Sequence, residues 1–83
     1  MKIKEIKYHK GYVIQVIYDN GQMNMFNLEP IIKEFVSKYG RFSELLDVNY
    51  FSTVRLNKNW NTVEWENGFD ICPDYFQSLN NAA

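Results

Sequence analysis

The sequence predicts an α+β domain in which a small antiparallel sheet of about five strands packs against one main helix. Three features carry that expectation. Two β-prone runs, Tyr12 to Tyr18 and Met23 to Phe26, meet at Asn20-Gly21; the apolar period then changes to a helical one between Ile31 and Tyr39; and short β-prone runs separated by Asn and Gly return after Ser52.

The chain opens with Met1 to His9, where Ile3, Ile6 and Tyr8 alternate imperfectly with lysines. Ile3 and Ile6 differ in parity, which predicts a bulge, and lysines on a strand are what an unpaired edge uses against further pairing. His9-Lys10-Gly11 reads as a turn, with His9 solvated. Asn-Gly tolerates the two positive φ angles of a two-residue type I′ loop. That loop would set Tyr18 opposite Met23, Val16 opposite Met25 and Ile14 opposite Asn27. Ile14, Val16, Tyr18, Met23 and Met25 then share the inner face, and Val13, Ile17 and Phe26 stand on the outer one.

Asn27 is an N-cap candidate, Glu29 suits the positive first turn, Pro30 is tolerated there, and Gly40 ends the helix behind Lys38. Ile31, Ile32, Phe35, Val36 and Tyr39 form its apolar side, with Phe35 expected against Val16 and Met25. Phe42 to Leu46 is one apolar turn, and Asp47 to Phe51 a second short turn or an open loop. Ser52 to Leu56 and Trp60 to Trp65 are the remaining strands; Val63 and Trp65 point inward and Trp60, of opposite parity, outward. Glu66-Asn67-Gly68 is a turn, Phe69 to Phe76 leads into a short C-terminal helical turn, and Gln77 to Ala83 is expected to fray.

Eighty-three residues make a single domain, 1–83. A chain of this size buries only about 60 to 65% of its unfolded surface, so it needs a dense core or a partner. Cys72 is alone and His9 is the one histidine, which rules out an internal disulfide and a zinc site of the ordinary Cys/His kind; no cofactor is expected. Aromatic residues make up 17% of the chain. There is neither a long apolar run nor a leader-like block, so the expectation is a cytoplasmic protein without a membrane span. Nine basic against ten acidic residues, a net charge of −1, make nucleic acid an unfavourable partner. The charges are uneven, basic over Lys2, Lys4, Lys7 and Lys10 and acidic over Glu64, Glu66, Asp70 and Asp74. These could pair within the fold, pair across a dimer, or meet a basic partner.

Taken together, Asp19-Asn20-Gly21, Asn27-Leu28, Phe51 before Val54-Arg55-Leu56, and above all Val63-Glu64-Trp65-Glu66-Asn67-Gly68-Phe69-Asp70-Ile71-Cys72-Pro73-Asp74 resemble the DUF2442 family of small bacterial proteins, over about residues 3–76. Tyr18, Asn27 and Glu66 stand where that family usually has Phe, Asp and often Pro. The resemblance implies no catalytic residues, since the family is one of unknown function. It also implies a neighbourhood: some members carry a further helix-turn-helix-like domain, of which this chain, ending at Ala83, is expected to have none. Others are encoded beside small proteins in arrangements like toxin and antitoxin pairs.

Read by their own chemistry, the signature residues Trp65, Asn67, Gly68, Asp70, Cys72, Pro73 and Asp74 are expected to be structural. Trp65 anchors the core, Asn67-Gly68 turns, and Asp70 fastens the last helical turn with Pro73 at its start. Cys72 is expected to be a small buried group rather than a reactive thiol. Asp70 and Asp74, four residues apart, lack a third ligand for a metal.

No Ser or Cys sits in a nucleophile turn, His9 has no partner, and no Gly-rich phosphate loop occurs, so the expectation is not an enzyme. It is instead a protein-interaction module, antitoxin-like or a regulatory partner of another small bacterial protein, with a nucleic-acid-associated regulator as the alternative. Val13, Ile17, Phe26 and Trp60 are its candidate interface, for a partner or for a homodimer.

Overall fold

The computed structural model describes residues 2–79. It contains two antiparallel meanders of three strands each, not one five-stranded sheet. β1 (Ile3–Lys10), β2 (Val13–Tyr18) and β3 (Met23–Asn27) form the first; β4 (Arg55–Asn57), β5 (Thr62–Glu64) and β6 (Asp70–Ile71) form the second. Helix α1 (Glu29–Tyr39), a 3-10 turn (Ser43–Leu46) and α2 (Val48–Phe51) connect them, and α3 (Pro73–Gln77) follows. Asp70-Ile71, expected only to lead into the last turn, pairs with β5 and gives the second sheet its third strand.

Both meanders close their last hairpin with the same turn. Tyr18 N–H donates to Gln22 O (2.8 Å) and Gly21 N–H to Tyr18 O (3.0 Å); Trp65 N–H donates to Phe69 O (3.0 Å) and Gly68 N–H to Trp65 O (3.1 Å). Gly21 and Gly68 have φ of 91° and 94°, whereas Asn20 and Asn67 are not among the residues with positive φ. This is a three-residue loop, a type I turn followed by a left-handed glycine bulge, and not the expected type I′ loop. Each asparagine carboxamide accepts the N–H two residues on, at 3.0 Å, which holds the turn in this form.

The extra loop residue shifts the β2–β3 register by one, to Ile14↔Phe26, Val16↔Asn24 and Ile17↔Met23. A one-residue shift exchanges the faces of a strand. Ile14, Val16 and Tyr18 are buried as expected, but β3 is reversed: Phe26 is inside at 2% exposure, while Met23 lies outside at 59%. The β1 strand has a register break between Ile3 and Glu5, as the opposite parity of Ile3 and Ile6 predicts, and a second between Tyr8 and Lys10; His9 is on that strand rather than in the turn.

α1 ends at Gly40 as the sequence predicts, but its N-cap is Leu28, which makes no side-chain cap bond, and not Asn27 one residue earlier. Asn27 Oδ1 accepts Glu29 N–H (3.1 Å), Pro30 lies in the first turn, and Gly40, at φ 64°, donates its N–H to Val36 O. Its packing differs: Phe35 meets Phe69 (5.1 Å between ring centres), Phe42 (5.8 Å) and Tyr39 (4.6 Å) instead of Val16 and Met25. With Met25 turned outward, the helix settles towards the second meander.

Aromatic contacts run through the core. Tyr8 and Tyr12 stand edge-on to Phe51, Phe51 contacts Trp65 (5.4 Å), and Trp65 contacts Phe69 (5.7 Å). Trp65, 1% exposed, donates its indole N–H to Phe51 O at 2.9 Å, so its polar atom is satisfied in the core. The two meanders are joined at Ile3, whose N–H and C=O both bond to the Asn61 carboxamide (3.0 and 2.8 Å). Of the C-terminal segment expected to fray, Ser78 N–H bonds Tyr75 O and Leu79 packs on the core; residues 80–83 lie outside the described residues. No helix among the described residues is long and apolar enough to cross a membrane.

Candidate interaction surface and signature segment

Of the four residues expected to form an interface, the structure keeps two together. Val13 and Ile17 are half-buried on the outer face of the first meander, where the pairs Val13↔Asn27, Gln15↔Met25 and Ile17↔Met23 put Met25 and Met23 beside them. Phe26 leaves the set because it is in the core, its ring 5.0 Å from Phe76. Trp60 is 78% exposed but belongs to the β4–β5 turn of the other meander, not to a strand, so it is no part of that face. Its backbone N–H is held by Asn57 Oδ1 (3.2 Å). The two methionines were missed on the type I′ assumption. No signal in the sequence separates the two turn types, since Asn20-Gly21 suits both.

The outer face ends at β3, which among the described residues has β2 on one side and no strand on the other. Backbone bonds Tyr18 N–H to Gln22 O and Leu28 N–H to Tyr12 O bracket the β2–β3 ladder. By the antiparallel alternation, residues 24 and 26 bond to β2, and the N–H and C=O groups of Met23, Met25 and Asn27 point away from the sheet.

Asn67 donates from its amide to Glu44 while its Oδ1 holds the turn, and that donation keeps the Glu44 carboxyl below its ordinary pKa. Asp70 does not cap the last turn. It lies on β6 opposite Glu64 and is exposed, while Cys72 precedes the helix without a side-chain cap. The helix begins at Pro73, which places its free N–H groups out of Asp70's reach; Pro73 does occupy the first turn as expected. Cys72 is exposed rather than buried, because strand alternation sends Ile71 inward and its successor outward. Asp70 and Cys72 stand at the rim of a groove of about 350 Å³ between α1, β6 and α3, floored by Ile31, Phe35 and Phe69.

The acidic end finds an in-fold partner before it in sequence. Arg55 bonds Glu64 (2.9 Å) and Glu66 (3.0 Å), not the lysines of β1. The Asn57 amide and then Arg55 hold the Glu64 carboxyl below its ordinary pKa, and burial pushes the Tyr18 phenol up. Among the described residues, no three His, Cys, Asp or Glu side chains are grouped to hold a metal ion.

Two antiparallel meanders and one principal helix define the class: a small α+β domain with antiparallel sheets. Within that class, residues 3–78 match the family described as "Protein of unknown function (DUF2442)", and the chain belongs to it. No curated protein and no solved structure matches the chain.

Proposed function

We propose that this domain is a non-enzymatic protein-interaction module, a regulatory or antitoxin-like partner of another small bacterial protein in the cytoplasm. The observation that carries the reading is the outer face of the first meander, where Val13, Ile17, Met23 and Met25 adjoin, with Met23 59% exposed. No helix or strand is stacked on that face among the described residues. Exposed apolar clusters of this kind mark binding surfaces, and methionine adapts its shape to a partner. The test is co-purification from the source cell with tagged wild type, Ile17→Lys and Trp60→Ser. The expected result is a stoichiometric protein with wild type and Trp60→Ser that is lost with Ile17→Lys. Recovery with all three, or with none, removes this face from consideration.

A second reading, nucleic-acid association, is favoured by one hollow of about 280 Å³ lined by Lys2, Lys4 and Lys58 with Asp19 as its one carboxylate; Lys58 belongs to the turn that also exposes Trp60. A salt-dependent gel shift with single-stranded RNA or DNA, lost in Lys58→Ala, would support it in place of the first.

A further inference from the structure

We propose that β3 pairs antiparallel with β3 of a second copy across a two-fold axis at Met25, joining two three-stranded meanders into one continuous sheet. The two edges of the first meander are built differently. At the β1 edge, the N–H and C=O of Ile3 are both taken by the Asn61 carboxamide, and exposed Lys4, Lys7 and Lys10 punctuate the strand. Lysines on an edge strand oppose pairing with another chain. The β3 edge has no such guard. Met23-Asn24-Met25-Phe26-Asn27 contains no charged residue and no proline, and Met23, Met25 and Asn27 direct their backbone groups outward.

Those outward groups are symmetric about residue 25. A two-fold axis there sets Met25 opposite its own copy and Met23 opposite Asn27, each pair exchanging N–H and C=O as a hydrogen-bonded antiparallel pair does. The side chains brought together are uncharged, so no like charges meet. Just beyond the strand, Glu29 is already paired with Lys33 at 2.8 Å. A strand of arbitrary sequence from another protein would use the same groups, but the self-complementary register requires no further partner. Pairing of this length buries a small area, which predicts a concentration-dependent dimer rather than a permanent one. It uses the strand edge and not the outer face, so it stands or falls separately from the partner-binding reading.

The test is sedimentation equilibrium over a concentration series together with amide hydrogen exchange on the wild-type protein. The expected mass rises towards twice the 9.9 kDa of the chain. Over the same series the Met23, Met25 and Asn27 amides, which lie outside the β2 ladder, become protected. Met25→Lys places two ammonium groups opposite each other, and Met25→Pro removes an outward N–H without touching the β2 ladder. Each is expected to hold the protein at the single-chain mass with an unchanged circular dichroism spectrum. A wild type that stays at the single-chain mass throughout overturns the proposal, as does a dimer that survives both substitutions. Should the variants lose structure, the wild-type exchange decides: a dimer in which those three amides exchange as freely as loop amides pairs somewhere else.

Discussion

Asn20 and Asn67 occupy the same position of two copies of one turn, each accepting with Oδ1 the N–H of the residue two further on, at 3.0 Å. The copies are Tyr18-Asp19-Asn20-Gly21-Gln22 and Trp65-Glu66-Asn67-Gly68-Phe69, an aromatic, an acid, Asn and Gly in each. Tyr18 and Trp65 are both buried, so each turn begins from a core anchor. Each meander then leads into a helix with proline in its first turn, Pro30 in α1 and Pro73 in α3. The chain thus uses one local plan twice, a three-stranded meander closed by the same turn and followed by a helix.

Because the glycine of each turn carries the positive φ, Gly21→Val and Gly68→Val should each lower stability by about 1 kcal/mol or more. Nothing lies within 4 Å of a Cβ at either position, so the cost is conformational and not steric against a neighbour. Asn in place of either glycine should recover much of the loss, since Asn tolerates this region. Urea midpoints of the four variants check this.

At Ile3, Asn61 supplies two hydrogen bonds that no strand supplies. Asn61 itself has φ of 56°, so Asn61→Gly removes the carboxamide without adding backbone strain. It should cost about 1 to 3 kcal/mol, the net value of two partly buried bonds. It should also speed amide exchange at Ile3 while leaving Ile14 and Val16 protected; equal acceleration at all three would mean that Asn61 does not act locally.

The sequence made legible what depends on short-range chemistry. The C-terminal end of α1 at Gly40, the bulged lysine-bearing β1 and the buried Trp65 follow from caps, parity and periodicity, whereas Trp60 is exposed because it lies in a turn and not through strand parity. What it concealed turned on one ambiguous loop. Asn20-Gly21 supports both a two-residue and a three-residue turn, and that choice alone decides whether Phe26 or Met23 and Met25 enter the core. It also decides where Phe35 of α1 can pack. The second meander was hidden because β6 is two residues long, too short for any periodic signal, and the same oversight made Asp70 look like a cap. The candidate face was half legible: Val13 and Ile17 follow from β2 alone, while its two methionines depend on the register.

Acid should unfold the protein partly through two carboxylates. Glu44 and Glu64 both have folded pKa values below their ordinary 4.5, because the Asn67 amide donates to the first and Asn57 and then Arg55 to the second. A group depressed on folding stabilises the fold above its unfolded pKa, and that contribution is lost as pH falls through the folded value. The melting temperature of wild type should therefore begin to fall as pH drops below about 4.5. A Glu44→Gln, Glu64→Gln protein should show a flatter acid limb, and an unchanged limb would assign the acid transition to other groups.

The β2–β3 register is the most consequential feature of the fold and the simplest to challenge by substitution. Phe26 is opposite Ile14, 2% exposed and packed on Phe76, so Phe26→Ala opens a cavity and should cost about 3 to 5 kcal/mol. Met23 is opposite Ile17 on the outer face and 59% exposed, so Met23→Ser should stay within about 0.5 kcal/mol of wild type. A type I′ register reverses the order, because it buries Met23 against Tyr18 and exposes Phe26. Guanidinium unfolding of the two variants therefore reads the turn type through the core: a mild Phe26→Ala and a severe Met23→Ser would require the two-residue loop, and the opposite order requires the glycine bulge at Gly21.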